Sequence, residues 1–245
     1  MTLREQVTMV FGADIRAGSM LSNEQWIVDL HSILRSRRVL EIGTLHGLSA
    51  ALWAQFAEHV TTIDIHESAV ARRIWDKLGV ANKITYRVVK SNDEKRKTIA
   101  AEDFDFAFVD GDHSHTGAKI DFACVERCGA VLFHDYKPDN WRFRGLVKFI
   151  DSLRPLPFAF GPPSGRFALW LAHPKPNIVS ELETRLSAKK VDPSLNGRHP
   201  IDYVPILPRL YSLALLKGWW PGHGKVPALL NEKPLDLRDG PSTVM

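Results

Sequence analysis

The chain has 245 residues, 44% of them hydrophobic and 9% aromatic, which suffices for one substantial core with a small annex and excludes wholesale disorder. A formal charge of +4 is mild for this length, and no dense Lys/Arg block interleaved with aromatics occurs, so nucleic-acid binding is not indicated. No apolar stretch is long enough to span a bilayer, Met1 to Val10 lacks the apolar core of a signal peptide, and two cysteines do not make a disulfide framework, so the expectation is a soluble cytoplasmic protein.

Residues 1–21 read as an N-terminal cover, with Gly18-Ser19-Met20 as a loop able to fold over a ligand. Ser22 and Asn23 can cap a helix whose apolar residues Trp26, Ile27, Leu30, Ile33 and Leu34 recur at helical spacing. The first strand, Arg38 to Ile42, runs into a glycine turn, and the helix after it presents Leu48, Ala51, Leu52 and Phe56. Val60 to Ile65 is the second strand, with Asp64 at its end, followed by a helix from Ala69 to Leu78 that Gly79 closes. Lys83 to Val89 is the third strand, and Ser91-Asn92-Asp93 leads into a short charged helix ending at Ala100. Phe104 to Val109 is the fourth strand; the helix from His115 to Arg127 carries Cys124, with Cys128 placed to share its buried face. Ala130 to Phe133 is the fifth strand and ends against His134-Asp135. Short apolar strands alternating with helices imply a parallel sheet covered on both faces, with ligands gathering beyond the carboxyl ends of the strands.

The pattern then changes. After a helix from Trp141 to Leu153, the strand-like runs Leu156 to Phe160 and Arg166 to Leu171 are joined by Gly161-Pro162-Pro163-Ser164-Gly165, too short for a covering helix, so they should pair antiparallel. From His173 onward lie ten of the fifteen prolines. Asn177 to Ala188 can form one helix, and Leu207 to Trp219 includes an apolar run, but the rest is punctuated. Residues 173–245 therefore read as an accessory extension on a domain of residues 22–172, packed on that domain through Trp219 and Trp220 or on a second subunit in a homo-oligomer.

Three strand ends carry the chemistry. Glu41, Gly43 and Gly47 form E-x-G-x-x-x-G rather than the G-x-G-x-x-G of a pyrophosphate turn, and the carboxylate at the strand end disfavours an anionic ligand. Val109-Asp110-Gly111-Asp112-His113-Ser114-His115 and Phe133-His134-Asp135-Tyr136-Lys137 bring several carboxylates to the same rim, where they would repel one another unless a proton or a cation were shared.

Together with Asp64, these motifs resemble the class I S-adenosylmethionine-dependent methyltransferases. The resemblance implies a Rossmann-like α/β sandwich, a mostly parallel seven-stranded sheet ending in an antiparallel hairpin, with helices on both faces. It places Glu41, Gly43, Thr44, Gly47 and Ser49 around the methionine part of the donor, Asp64 on its ribose, Ser91 and Asn92 at its adenine, and Asp110 at the rim. Asp64 has an alternative as a helix cap, as have Ser91 and Asn92; His46 in the glycine turn is another contact or points to solvent.

Asp110 with the pair after the fifth strand is similar to the metal-dependent O-methyltransferases, and more closely to their antibiotic-tailoring sugar and cephalosporin branch. That implies Mg²⁺ or another divalent metal on Asp110, His134 and Asp135, with His134 where better-known relatives mostly have a carboxylate. His113 leads as general base, with His134 or Lys137 behind it; His115 and Asp112 read equally as a helix start and a turn former. The implied acceptor is a small molecule bearing a hydroxyl, a sugar or a phenol. Two other readings stay open: a metal-independent enzyme with a histidine base acting on oxygen or nitrogen, and a non-catalytic binding or assembly protein that keeps the fold.

Overall fold

Residues 2–11, 22–162 and 166–194 are described by the structure, a computed structural model. The Gly18-Ser19-Met20 loop, the apolar run from Leu207 and the Trp219-Trp220 pair lie outside them.

Among the described residues the strands are β1 (Arg38–Ile42), β2 (His59–Asp64), β3 (Ile84–Val88), β4 (Phe106–Val109), β5 (Ala130–Phe133), β6 (Phe158–Phe160), β7 (Phe167–Leu171) and β8 (Lys189–Lys190). They form one sheet in the order β3-β2-β1-β4-β5-β7-β6-β8. β1 to β5 pair in parallel, whereas β7 joins β5, β6 joins β7 and β8 joins β6 antiparallel. The chain builds outward from β1 to β3 and then returns to lay β4 on the other side of β1, so the strand order reverses between β1 and β4. At such a switch point the loops leave in opposite directions and open a crevice above the strand ends.

The central strands β1, β4 and β5 are buried on both faces, and their side chains alternate between two cores. Val39, Phe106, Phe108 and Leu132 point into one core and Leu40, Ile42, Val109 and Phe133 into the other. The first core is covered by α1 (Leu3–Phe11), α2 (Glu24–Leu34), α3 (Leu48–Trp53), α4 (Ala69–Lys77) and α8 (Pro176–Leu186). The second lies under α5 (Asn92–Ala100), α6 (His115–Val125) and α7 (Arg144–Ser152). The architecture is the α/β sandwich that the alternating pattern predicts.

Several details differ from the sequence reading. The sheet has an eighth strand, because Val191 N–H donates to the Pro157 carbonyl and Lys189-Lys190 then pairs with β6; two exposed lysines carry no apolar alternation to announce a strand. α8 buries Leu182 and Leu186 in the first core, and its Arg185 donates to the Ser32 hydroxyl of α2, so residues 173–194 are built onto the domain. α1 is a helix inside the expected cover, and the Glu24 carboxylate accepts the Leu3 and Arg4 N–H groups that its first turn leaves open. Asn23 holds the N-cap position of α2 without a side-chain cap bond. Cys128 falls in a 3-10 turn after α6 rather than in the helix, and both cysteines are free thiols.

Candidate active site

The turn after β1 is shaped by close approach of main chains. Gly43 has φ +101° and donates its N–H to the Ile63 carbonyl at 2.9 Å. A Cβ there would come within 2.2 Å of the Asp110 carbonyl oxygen, and one at Gly47 within 2.6 Å of the Trp75 indole. The two glycines are thus demanded first by the protein's own packing, rather than only by room for a ligand as E-x-G-x-x-x-G suggests. Trp75 also donates its Nε1–H to the Gly47 carbonyl at 2.7 Å, which pins α4 to the turn.

Asp64 braces this turn from the end of β2. Its Oδ2 accepts the Thr44 and Leu45 N–H groups at 2.9 and 3.0 Å, and Oδ1 accepts that of His66 at 3.1 Å. The helix-cap alternative falls to Ser68, whose hydroxyl accepts the Ala71 N–H of α4. Asp64 remains half-buried on the cavity wall, where its carboxylate keeps lone pairs for ligand hydroxyls.

Beneath the turn lies Glu41, fully buried. The Thr62 hydroxyl donates to its Oε2 at 2.5 Å, and Thr44 and Thr62 hydroxyls meet at 2.7 Å. Loss of water raises its pKa to about 8, although hydrogen bonds from Ser49 and Thr62 act the other way. Glu41 therefore supports the turn from below, while Thr44 and Ser49 belong to both the support and the cavity wall.

Loops after β4 and β5 bring the second cluster together. His134 Nδ1 sits 3.2 Å from Asp110 Oδ1 and 3.4 Å from Asp135 Oδ1. His113 Nε2 lies 3.5 Å from Asp110 Oδ1 and 3.6 Å from Asp135 Oδ2, and the Lys137 ammonium pairs with Asp135. Burial acts to raise the Asp110 and Asp135 pKa values, but His113 and His134 outweigh it at Asp110 and hold it below the ordinary range, and His134 with Lys137 holds Asp135 at about 2. The same carboxylates overcome burial at His134 and lift it to about 9. Asp135 adopts φ +60°, a conformation unfavourable for a residue with a Cβ, and the surrounding pairs hold it there.

A divalent cation fits this donor set. One ligand atom from each of Asp110, His134 and Asp135 lies within 4.8 Å of the others, and two hard oxygens with one imidazole nitrogen suit Mg²⁺, Mn²⁺ or a softer first-row ion. The flanking residues are more ordinary. Asp112 accepts the Ser114 N–H in a tight turn, and His115 opens α6 in an exposed position. Lys137 is engaged by Asp135 and sits over the Phe143 ring at 4.8 Å, whereas His113, edge-on to the same ring at 5.0 Å, reaches the cavity.

The glycine turn and the cluster share one cavity of about 780 Å³, lined by Gly43, Thr44, Ser49, Asp64, Asp110, His113, His134 and Asp135, among others. Its size suits a nucleoside-bearing ligand. His46 and Leu45 stand at its exposed rim. Ser91 and Asn92 are not among the described lining residues: the Ser91 hydroxyl caps α5 by accepting the Glu94 N–H, and Asn92 is exposed. In their place Lys95 and Asp121 line the cavity, paired at 2.5 Å. Neither stands at a strand end, so the sequence motifs pass over them.

Residues 40–136 match the sequence family described as a methyltransferase domain. The chain is 26% identical over 194 residues to a ubiquinone biosynthesis O-methyltransferase of Bordetella avium, covering 78% of this chain and 75% of that protein. It is 35% identical over 112 residues to a catechol O-methyltransferase of Mycobacterium tuberculosis, a match of 43% of this chain and 50% of that protein. Among solved structures, an O-methyltransferase from Bacillus cereus in complex with SAH superposes with a TM-score of 0.52 at 19% identity, over 69% of this chain and 90% of that one. The O-methyltransferase TomG from Streptomyces achromogenes, involved in tomaymycin synthesis and solved with SAM, gives 0.51 at 19%, over 70% and 90%. Residues 40–136 are thus similar to a methyltransferase domain, and the fold is that of the solved class I methyltransferases.

Proposed function

We propose that the protein is an S-adenosylmethionine-dependent O-methyltransferase that acts on a hydroxyl of a small molecule, a sugar or a phenol, assisted by a divalent metal on Asp110, His134 and Asp135. The observation that carries this reading is the convergence of those three residues on the cavity that the Gly43 to Ser49 turn and Asp64 also line. The names of the relatives and solved neighbours support the donor and the oxygen acceptor. The sequence resemblance to the antibiotic-tailoring branch supports a sugar hydroxyl.

Methyl transfer from a sulfonium is an in-line displacement. The acceptor oxygen attacks the methyl carbon, the C–S bond breaks with its electron pair passing to sulfur, and the hydroxyl proton leaves to a base. The turn and Asp64 hold the donor, and the carboxylates of Asp64, Asp110 and Asp135 favour a cationic ligand over an anionic one. His113 is the base: it lines the cavity, is a third exposed and stands beside both Asp110 and Asp135, which stabilise the imidazolium it becomes. His134 is buried with its Nδ1 facing Asp110 and Asp135, a placement that suits a ligand of that cluster better than a base for the acceptor. A divalent ion at the cluster supplies Lewis acidity that eases loss of the acceptor proton.

One observation favours a metal-independent variant of the same enzyme: His113, His134 and Lys137 already counter Asp110 and Asp135. Methyl transfer from labelled donor to a panel of sugars and phenols, before and after chelation and with Mg²⁺ or Mn²⁺ restored, separates the two. Activity lost on chelation and restored by the ion supports the metal; activity untouched by chelation removes it. Donor binding without transfer to any acceptor favours the non-catalytic reading.

A further inference from the structure

Consecutive residues of an extended chain point to opposite sides, yet His134 and Asp135, directly after β5, bring Nδ1 and Oδ1 to 3.4 Å in one cluster. The pairing with β7 shows how. Phe133 pairs with Ala168, and beyond that point the Tyr136 N–H donates to the Arg166 carbonyl at 3.1 Å. From Phe133 to Tyr136 the chain advances three residues while its partner advances two, from Ala168 to Arg166, so an extra residue is inserted as in a β-bulge. Asp135 sits within it at φ +60°, which turns its carboxylate to the side of His134.

A left-handed conformation at a residue with a Cβ persists only where the surroundings enforce it. The ion pairs of Asp135 act on its carboxylate; the main chain is fastened separately. On one side the His134 N–H donates to the Val109 carbonyl at 3.1 Å. On the other, the Tyr136 ring is buried in the second core, and its hydroxyl donates to Asp151 Oδ1 on α7 at 2.9 Å. The start of α7 is docked in turn on the loop that carries His113. Leu146 N–H donates to the His113 carbonyl at 2.9 Å, and a Cβ at Gly145 would come within 2.6 Å of the His115 nitrogen. A single helix therefore grips the loop after β4 at its first turn and the loop after β5 at its last.

We propose that Tyr136 and Asp151 are positioning residues for the cation site: their hydrogen bond locks the extra residue, so that Asp135 and His134 face one ion. The inference rests on the divalent-metal reading above, and neither side chain belongs to the ligand set itself. Without the hydroxyl the ring keeps its apolar packing, but the chain past Asp135 can relax toward regular pairing and carry the carboxylate away from His134. Partners one step behind metal ligands commonly set affinity by 10 to about 100-fold.

The test is calorimetric titration of Mn²⁺ into the full chain, for the wild type, Tyr136→Phe, Asp151→Ala and Asp151→Asn, below the unfolding temperature of each. Tyr136→Phe and Asp151→Ala should each weaken Mn²⁺ binding by about tenfold or more, and the double variant should lose no more than Asp151→Ala alone. Asp151→Asn keeps an oxygen that can accept from Tyr136 and should stay within about threefold of the wild type. S-adenosylhomocysteine affinity should change less than about threefold in all of them, which separates loss of the ion's geometry from general loosening of the site. Wild-type Mn²⁺ affinity in Tyr136→Phe, or equal losses in Asp151→Asn and Asp151→Ala, overturns the proposal. A wild type that binds no Mn²⁺ overturns the metal reading beneath it, and this inference with it. If Tyr136→Phe does not fold, the contrast between Asp151→Ala and Asp151→Asn carries the test.

Discussion

Replacing Glu41 by glutamine tests whether a buried carboxyl under the glycine turn is held neutral in the free protein. Glu41 is wholly enclosed, and its pKa is raised from 4.5 to about 8, chiefly by loss of water. Below pH 4.5 the side chain is protonated in both the folded and the unfolded chain, and it costs nothing. As pH rises from 4.5 to 8 the unfolded chain releases a proton that the folded chain keeps, so stability falls by about 1.4 kcal/mol for each pH unit and the loss is complete above pH 8. At pH 7 the penalty is on the order of 3 kcal/mol. Glutamine has no such titration, and its amide oxygen can still accept from Thr62. Urea unfolding without the methyl donor, at pH 5 and pH 8, should show Glu41→Gln gaining several kcal/mol on the wild type between the two pH values. Titrating groups that do not interact with Glu41 are common to both proteins and cancel in that difference. Equal slopes of stability against pH in the two proteins would refute the assignment of a neutral Glu41.

Gly43→Ala should destabilise by several kcal/mol in thermal or urea unfolding, because φ is +101° and the new Cβ would meet the Asp110 carbonyl at 2.2 Å. Gly79→Ala, with φ +69° and nothing within 4 Å of its Cβ, should lose only about 1 kcal/mol and serves as the control. His113→Gln should lower kcat by about 10² to 10⁴ while S-adenosylhomocysteine affinity stays within about threefold, as expected for a base that does not anchor the donor. Asp135→Asn should weaken Mn²⁺ binding, read by calorimetry on the purified protein, by at least about tenfold; unchanged affinity would take Asp135 out of the ligand set.

Strand ends were the legible part of this chain. Phe106 to Val109 and Val131 to Phe133 are continuous apolar runs, and Val39 to Ile42 is interrupted only by Glu41, because both faces of these strands are buried, and each is followed within two residues by polar residues that the fold sets at one rim. A parallel sheet makes those rim residues neighbours, so Asp110, His134 and Asp135 could be brought together from sequence alone. The short Gly161 to Gly165 linker likewise announced the antiparallel pairing of β6 and β7.

What stayed hidden depends on contacts between distant helices or on the rigid chain path. Lys95 and Asp121 sit within helices, where a charged residue reads as a solvated face until packing of α5 on α6 shows otherwise. Ser91 and Asn92 follow a strand just as Asp64 does, yet α5 begins there and uses the Ser91 hydroxyl as its cap. The reason for Gly43 could be anticipated only in kind, since the atom it avoids belongs to Asp110, in the loop on the other side of the switch point. Helix α1 depends on Glu24 for its open N–H groups, and β8 on two lysines whose pairing is set by the end of α8.

The central claim is that one cavity holds the methyl donor between the glycine turn and Asp64. Calorimetric titration of S-adenosylhomocysteine into the full chain and into Asp64→Ala tests it most directly. The expected result is a single site on the wild type and loss of measurable binding in the variant, which leaves the Thr44 and Leu45 N–H groups without their acceptor and the ribose without its partner. A folded wild type that takes up no S-adenosylhomocysteine, or an Asp64→Ala variant that binds it as well as the wild type does, would contradict the account.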